Sequence, residues 1–398
     1  MISRRGCKTM MVRSISCLLI VVLLFFSRSF AAEVVTVPVG APAPVIEARA
    51  WALMEMNSGW IVASKDAGDK LPPASITKLM ANYVLFDQLK KGSVSMDDMV
   101  PISEEAWRAE GSRMFADVNT KIKFELLLKS MVIQSGNDAS IALAEFVGGS
   151  EPAFAALMNK SARELGLKDS FFTNSTGLPA DDHLMSSVDI LSLSAAIIRD
   201  FPELYKWYAQ KEFTHNDISQ LNRNTLLWKD SSIDGLKTGY TQAAGYCLVA
   251  TALRADQRWI AVAMGTESPR AREKAVRALL EYGFKNFESV NMLDDQGGLA
   301  IVDMYGGDTD QLRLQVAKPA NVVVPLGRAG DIQQVVEYPP YLEAPIQAGE
   351  AAGSVSLTLD GREIYSTPLV AMSPIKQGGW WKGFVDSIKL RWRKFFED

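Results

Sequence analysis

Pro72-Pro73-Ala74-Ser75-Ile76-Thr77-Lys78 opens a stretch whose apolar residues continue at helical spacing through Leu79, Met80 and Tyr83. The two prolines punctuate the chain, so Ser75 falls at the start of a helix expected over residues 76–90. Residues three apart on a helix share a face, which brings the Lys78 amine beside the Ser75 hydroxyl. A serine hydroxyl becomes a nucleophile when an adjacent base takes its proton, and a lysine is a base only while neutral. Bringing a lysine pKa from about 10.4 to about 7 costs about 4 to 5 kcal/mol, supplied by burial and nearby positive charge. The pair therefore demands an enclosed, cationic site. Ser-x-x-Lys alone is expected about once by chance in a chain this long, so other elements must agree with it.

Two other stretches do. Met131-Val132-Ile133-Gln134-Ser135-Gly136-Asn137-Asp138 is an apolar helix end that breaks at Gly136. Ser135 can relay a proton between the lysine and a leaving amine, and Asn137 can pair with a substrate amide; read alone, the stretch is a turn between helices. Asp234-Gly235-Leu236-Lys237-Thr238-Gly239-Tyr240 leads into a hairpin. On a strand bordering the cleft, Lys237 and Thr238 offer a cation and a hydroxyl to a substrate carboxylate, and Gly239 lets a peptide lie close to the backbone. Lys237 also supplies the second cation wanted near Lys78.

In this order the three elements are those of serine β-lactamases and penicillin-binding proteins. The resemblance extends to Pro-Ala-Ser-Ile-Thr-Lys, Gln-Ser-Gly-Asn-Asp-Ala, Leu221-Asn222-Arg223-Asn224-Thr225-Leu226-Leu227-Trp228 and Gly245-Tyr246. These stretches resemble the low-molecular-mass penicillin-binding proteins that are D-alanyl-D-alanine carboxypeptidases, over essentially the whole mature chain. The resemblance implies an α+β fold: a catalytic domain of the serine β-lactamase type, with an antiparallel sheet and helices, then a small all-β domain and a C-terminal amphipathic helix on the membrane. It implies Ser75 as acylating nucleophile, Lys78 as base, Ser135 as proton relay, Asn137 as substrate ligand, and Lys237 with Thr238 at the terminal carboxylate. The backbone N–H groups of Ser75 and Tyr240 would form the oxyanion hole. Many relatives carry histidine where Tyr240 stands, a difference that a backbone role tolerates. Arg223 reads either as a source of cleft electrostatics or as half of a structural salt bridge.

The pattern outside the motifs agrees with that organisation. Runs at 50–56 and 60–64 flank Asn57-Ser58-Gly59, and runs at 246–254 and 258–264 flank Ala255-Asp256-Gln257, each a hairpin signal. Helical periods lie between them at 124–134, 139–146, 153–165 and 188–199, and a last one follows at 270–282. One sheet assembled from both ends around a helical region is the economical architecture. Short β-rich runs then appear at 299–304, 312–316, 322–325, 335–338 and 354–359.

The chain has 398 residues, 48% apolar, with a net charge of −4. Arg4, Arg5, Lys8 and Arg13 precede an apolar run at 18–26 and the small-x-small site Ser29-Phe30-Ala31, which reads as a signal peptide; a retained anchor is the competing reading, though the run is short for one. Its removal takes Cys7, Cys17 and only basic charge, leaving Cys247 as the one thiol and an acidic mature chain with no affinity expected for nucleic acid. The expected units are a signal peptide at 1–31, a leader at 32–45, a catalytic domain at 46–286, a β-rich domain at 287–375 and an amphipathic helix at 376–398. In that helix Trp380, Trp381, Phe384, Val385, Ile388, Trp392, Phe395 and Phe396 recur at helical spacing while Lys382, Lys389, Arg393 and Lys394 fall mainly elsewhere. It reads as a membrane-surface helix or, alternatively, as one docked on the protein's own core.

The expected function is removal of the terminal D-alanine from peptidoglycan stem pentapeptides by an exported enzyme at the periplasmic face of the inner membrane, with β-lactams acylating the same serine. No cofactor or metal is required. A β-lactamase would need a carboxylate to activate water, and no motif places Glu145, Glu151 or Glu164 in that role. The same motifs would also suit a D,D-endopeptidase or a weakly active wall-binding scaffold. His183 and His215 lie outside the motifs and read as surface or loop residues, which disfavours zinc or Ser-His-Asp chemistry.

Overall fold

The computed structural model describes residues 33–34, 41–293 and 298–397; the signal peptide expected at 1–31 and much of the leader expected at 32–45 lie outside the described residues. In chain order come β1 (Glu33–Val34), β2 (Ala50–Glu55), β3 (Trp60–Lys65), α1 (Lys78–Lys90), β4 (Met99–Pro101), α2 (Glu104–Trp107) and β5 (Lys121–Lys123). They are followed by α3 (Phe124–Ile133), α4 (Asn137–Gly148), α5 (Glu151–Glu164), α6 (Ser187–Asp200), α7 (Pro202–Tyr205), β6 (Glu212–His215) and β7 (Ile218–Leu221). The sheet is completed by β8 (Ile233–Thr241), β9 (Gly245–Arg254) and β10 (Gln257–Thr266), before α8 (Pro269–Asn286).

The main sheet has the order β1-β3-β2-β10-β9-β8, with β2 antiparallel to β10 so that Ala52 faces Val262. The two hairpins, far apart in sequence, thus build one sheet around the intervening helices. Alternate residues of each strand point to opposite faces. Ala50, Ala52, Met54, Ile260, Val262 and Met264 join the core formed with the helical region; Trp51, Leu53, Trp259, Ala261 and Ala263 pack with Ala275, Val276, Leu279 and Leu280 of α8. With both faces covered, the strands read as continuous apolar runs rather than alternating ones. Close contact of α8 with the sheet depends on Gly283, where a methyl group would sit 2.7 Å from the Trp259 ring.

The β-rich region pairs β11 (Phe287–Met292) with β14 (Ala320–Pro325). A second sheet is formed by β12 (Ala300–Tyr305), β13 (Gln311–Val316), β15 (Gln333–Glu337), β16 (Tyr341–Glu343), β17 (Ala351–Leu359) and β18 (Arg362–Ala371), in the order β15-β17-β18-β13-β12-β16. Strand β18 has no counterpart among the runs read from the sequence. Its signal is the turn: Asp360 (φ 53°) and Gly361 (φ 73°) form a two-residue loop joining Leu359 to Arg362, the conformation that Asp-Gly favours in hairpins.

The last element is α9 (Trp380–Glu397), and its orientation is the reverse of a helix docked by its apolar face. Its polar side meets the β-rich region: buried Asp386 accepts from Gly306 N (3.0 Å), Lys382 pairs with Asp310 (2.8 Å) and Arg393 with Asp303 (3.2 Å). Trp380, Trp381, Phe384, Ile388 and Trp392 are exposed. Among the described residues no single helix is long and apolar enough to cross a membrane.

Candidate active site

Ser75 lies in a short 3₁₀ turn (Ala74–Thr77) that runs straight into α1. Ala74 holds a left-handed conformation (φ 50°), as does Ser135 (φ 76°), so two of the three motifs each contain a backbone position that a side chain rarely adopts. The turn is wedged between two glycines. At Gly177 a methyl group would fall 1.8 Å from the Ala74 carbonyl oxygen, and at Gly239 one would fall 2.8 Å from that of Pro73. Gly239 therefore makes room for the serine turn itself, and it also lines the cavity. Strand β8 is thereby pressed against the turn, and Ser75 and Tyr240 border the same cavity of about 350 Å³.

Lys78 is fully buried. Its Nζ donates to Asn137 Oδ1 (2.7 Å) and to the Thr176 carbonyl (2.8 Å), and lies 3.3 Å from Ser75 Oγ. A neutral amine has two N–H donors and one lone pair. With both donors engaged, the lone pair is left for the Ser75 hydroxyl. Burial lowers the Lys78 pKa to about 7 against the pull of Glu151 and Asp138, which raise it. Burial, one of the two expected sources, supplies the shift, and the neighbouring acids oppose it; Lys78 and Lys237 also repel each other. Lys237 is held well below the usual lysine range by burial first, then by Lys78, Arg223 and Arg272. A carboxylate arriving beside it would restore its charge.

Ser135 Oγ is buried and has no hydrogen-bond partner among the described residues; Lys78 reaches Asn137 and Thr176 instead. Asn137 opens α4, and its Nδ2 donates to the Glu110 carbonyl (2.5 Å), tying it to the loop that forms the cavity wall. Asp138 fixes the same loop by accepting from Met114 N (3.0 Å) and Ala116 N (3.2 Å). Thr238, Gly239 and Tyr240 line the cavity, and Lys237 Nζ donates to the Thr238 carbonyl (3.0 Å). The asparagines around Arg223 anchor its segment: Asn222 Nδ2 donates to the Tyr208 and Gln210 carbonyls, and Asn224 Nδ2 to that of Gly235. Arg223 itself donates to Ser112 Oγ (2.6 Å) at the cavity wall and has no ion pair among the described residues.

Several residues of the site were not legible beforehand. Arg272 on α8 lines the cavity and donates to the Gly239 carbonyl (3.0 Å), but in sequence it is one basic residue among several on a helix. Thr176 contributes its backbone oxygen, which no side-chain pattern announces. His183 sits in a loop, as expected, but a buried one, with Nε2 2.8 Å from Thr77 Oγ1 and Nδ1 accepting from Thr173 N (3.2 Å). Burial and the nearby Lys78 lower its pKa to about 4. His215 is half-buried on β6, stacked on Phe213 and outside the cavity. No Asp or Glu side chain lines the cavity among the described residues. Glu151 accepts from Ser175 N (2.9 Å) and Oγ (2.6 Å), and Glu145 from Ser103 Oγ (3.0 Å), while Glu164 pairs with Lys160 (3.8 Å).

Comparison with known proteins agrees with this geometry. Residues 37–268 match the D-alanyl-D-alanine carboxypeptidase family, and residues 287–377 match the C-terminal domain of penicillin-binding protein 5. The chain is 38% identical over 361 residues to D-alanyl-D-alanine carboxypeptidase DacA of Escherichia coli (strain K12), covering 89% of this chain and 90% of the relative. It is 36% identical over 381 residues to DacC of the same strain, covering 94% of each. The crystal structure of penicillin-binding protein 5 from Haemophilus influenzae superposes with a TM-score of 0.82 at 38% identity, covering 85% of this chain and all 100% of that one. The motifs, the sheet built from both ends of the catalytic region and these matches lead to one conclusion: the chain belongs to the D-alanyl-D-alanine carboxypeptidase family, among the low-molecular-mass penicillin-binding proteins.

Proposed function

We propose that Ser75 carries out the family's reaction as an acylating nucleophile, removing the terminal D-alanine from peptidoglycan stem pentapeptides. The observation that carries this reading is the Lys78 amine: fully buried, with its pKa lowered to about 7, both N–H donors engaged and 3.3 Å from Ser75 Oγ. Ser75 Oγ attacks the carbonyl of the penultimate D-alanine as Lys78 takes its proton. The N–H groups of Ser75 and Tyr240 hold the oxyanion. The C–N bond then breaks, and the leaving D-alanine nitrogen receives the proton from Lys78 through the Ser135 hydroxyl. Water enters to attack the ester, and the same base takes its proton. Lys237, Thr238, Arg223 and Arg272 form the cationic corner that receives the terminal carboxylate, and Asn137 holds a substrate amide.

A β-lactam follows the same path, but its amine stays tethered after the ring opens. The absence of an acidic side chain among the described lining residues favours a long-lived adduct over rapid hydrolysis, and so a carboxypeptidase over a β-lactamase. Incubation of the mature protein and Ser75→Ala with a D-Ala-D-Ala-terminated peptide tests this. D-Alanine release that depends on Ser75 supports the assignment; equal release by both proteins would sink it.

The chain is proposed to be exported and to lie on the outer face of the cytoplasmic membrane. The outward aromatic face of α9, held by ion pairs on its polar side, supports insertion of those rings at the lipid surface. A chain ended before Lys376 should stay active and leave the membrane fraction. Unchanged partitioning would refute the anchor.

A further inference from the structure

We propose that the Tyr240 ring determines specificity for the leaving residue, as a preformed shelf on which a D-amino acid side chain larger than the alanine methyl packs. This rests on the reading that the terminal carboxylate lies at Lys237 and Thr238. Alternate side chains of a strand share a face, so Tyr240 emerges on the same side of β8 as Thr238, about 7 Å farther along. Both line the cavity, as do Thr241 and Arg272. A residue held by its carboxylate at Thr238 therefore carries its side chain past the Tyr240 ring.

The ring is ordered before any substrate arrives. Tyr246, its partner in register on β9, stacks against it with centroids 4.2 Å apart and planes inclined by 26°. The Arg272 guanidinium lies 5.7 Å from the Tyr246 centroid and is itself fixed by the Gly239 (3.0 Å) and Cys247 (3.3 Å) carbonyls. Guanidinium, ring and ring form a stack that ends at the cavity. Yet Tyr240 remains 54% exposed, so a large apolar surface stays open beside the carboxylate corner. An apolar side chain landing on a surface already held in place immobilises little that was free, so its contact is retained as selectivity. Aromatic contact of this kind changes a substrate ratio by about tenfold.

The test compares N-acylated peptides ending in D-Ala-D-Ala, D-Ala-D-Leu and D-Ala-D-Phe, measuring kcat/KM for release of the last residue by the full chain. Wild type should release D-Leu and D-Phe as well as D-Ala. Tyr240→Ala should lower the D-Phe to D-Ala ratio by about tenfold, Tyr240→Phe should keep it within about twofold, and Tyr246→Leu, which removes the support, should lower it by about threefold. The same ratio in wild type and Tyr240→Ala would overturn the proposal. So would an equal fall in Tyr240→Phe, which would assign the effect to the hydroxyl. If wild type released no D-alanine in a Ser75-dependent way, the nucleophile assignment would fall and the shelf with it, an outcome visible before any ratio is formed.

Discussion

Lys78 is 0% exposed and Trp380 is 82% exposed. The catalytic region and the C-terminal helix thus invert the usual distribution in opposite senses, one burying a cation and the other presenting aromatic rings to solvent. The lysine is tolerated because carbonyl oxygens accept hydrogen bonds from its N–H groups and burial lowers its pKa to about 7, which turns an awkward cation into a base. Trp380, Trp381, Phe384 and Trp392, by contrast, stay exposed. The polar side of α9 is the one tied to the β-rich region, through Asp386, Lys382 and Arg393.

The sharpest way to break this contrast is at its chemical end. Ser75→Ala should lower D-alanine release about 10³-fold or more, and a loss under about tenfold would remove the serine from the mechanism. Lys78→Met should lower the rate of penicillin acylation by roughly 10² to 10⁴-fold while the fold is retained, read by intact mass and circular dichroism. Acylation unaffected in that variant would leave the buried lysine without a catalytic role.

His183 extends the contrast to stability. Its pKa falls from 6.5 to about 4 on folding, so through that window the unfolded chain binds the extra proton and stability drops as pH falls. The full loss is about 3 kcal/mol. Denaturant unfolding of wild type and His183→Gln across that range should show the difference shrinking by this amount towards the acid end. A constant offset would mean that the imidazole is not held neutral. Smallest is the effect of single rings at the other end: Trp381→Ala or Trp392→Ala should weaken binding to anionic lipid vesicles by about tenfold each. Binding that follows the number of basic residues alone would show the rings to be passive.

Much of this was legible because local pattern and chemistry coincide in the motifs. Ser75 and Lys78 meet through helical spacing, and the two hairpins announce themselves by turn residues between apolar runs. What escaped depends on tertiary closure. Arg272 reaches the cavity only because α8 packs across the sheet, and the Thr176 carbonyl reaches Lys78 only because Gly177 lets its loop press on the serine turn. His183 follows from the same closure. Strand β18 is a different case: Asp360-Gly361 was a readable turn, but charged residues and Pro368 blur the alternation that would have marked the strand after it. Burial of Lys78 followed from the need for a neutral base, whereas Glu151 and Asp138, which oppose the shift, lie far from it in sequence and meet it only through the fold.

The most direct measurement is the rate of penicillin acylation as a function of pH, followed by intact mass with the adduct mapped to its peptide. The account predicts an adduct on Ser75 and a second-order rate that rises through an acid limb centred near the Lys78 pKa of about 7. An adduct on another residue, or a rate flat from about pH 5 to about pH 9, would contradict it.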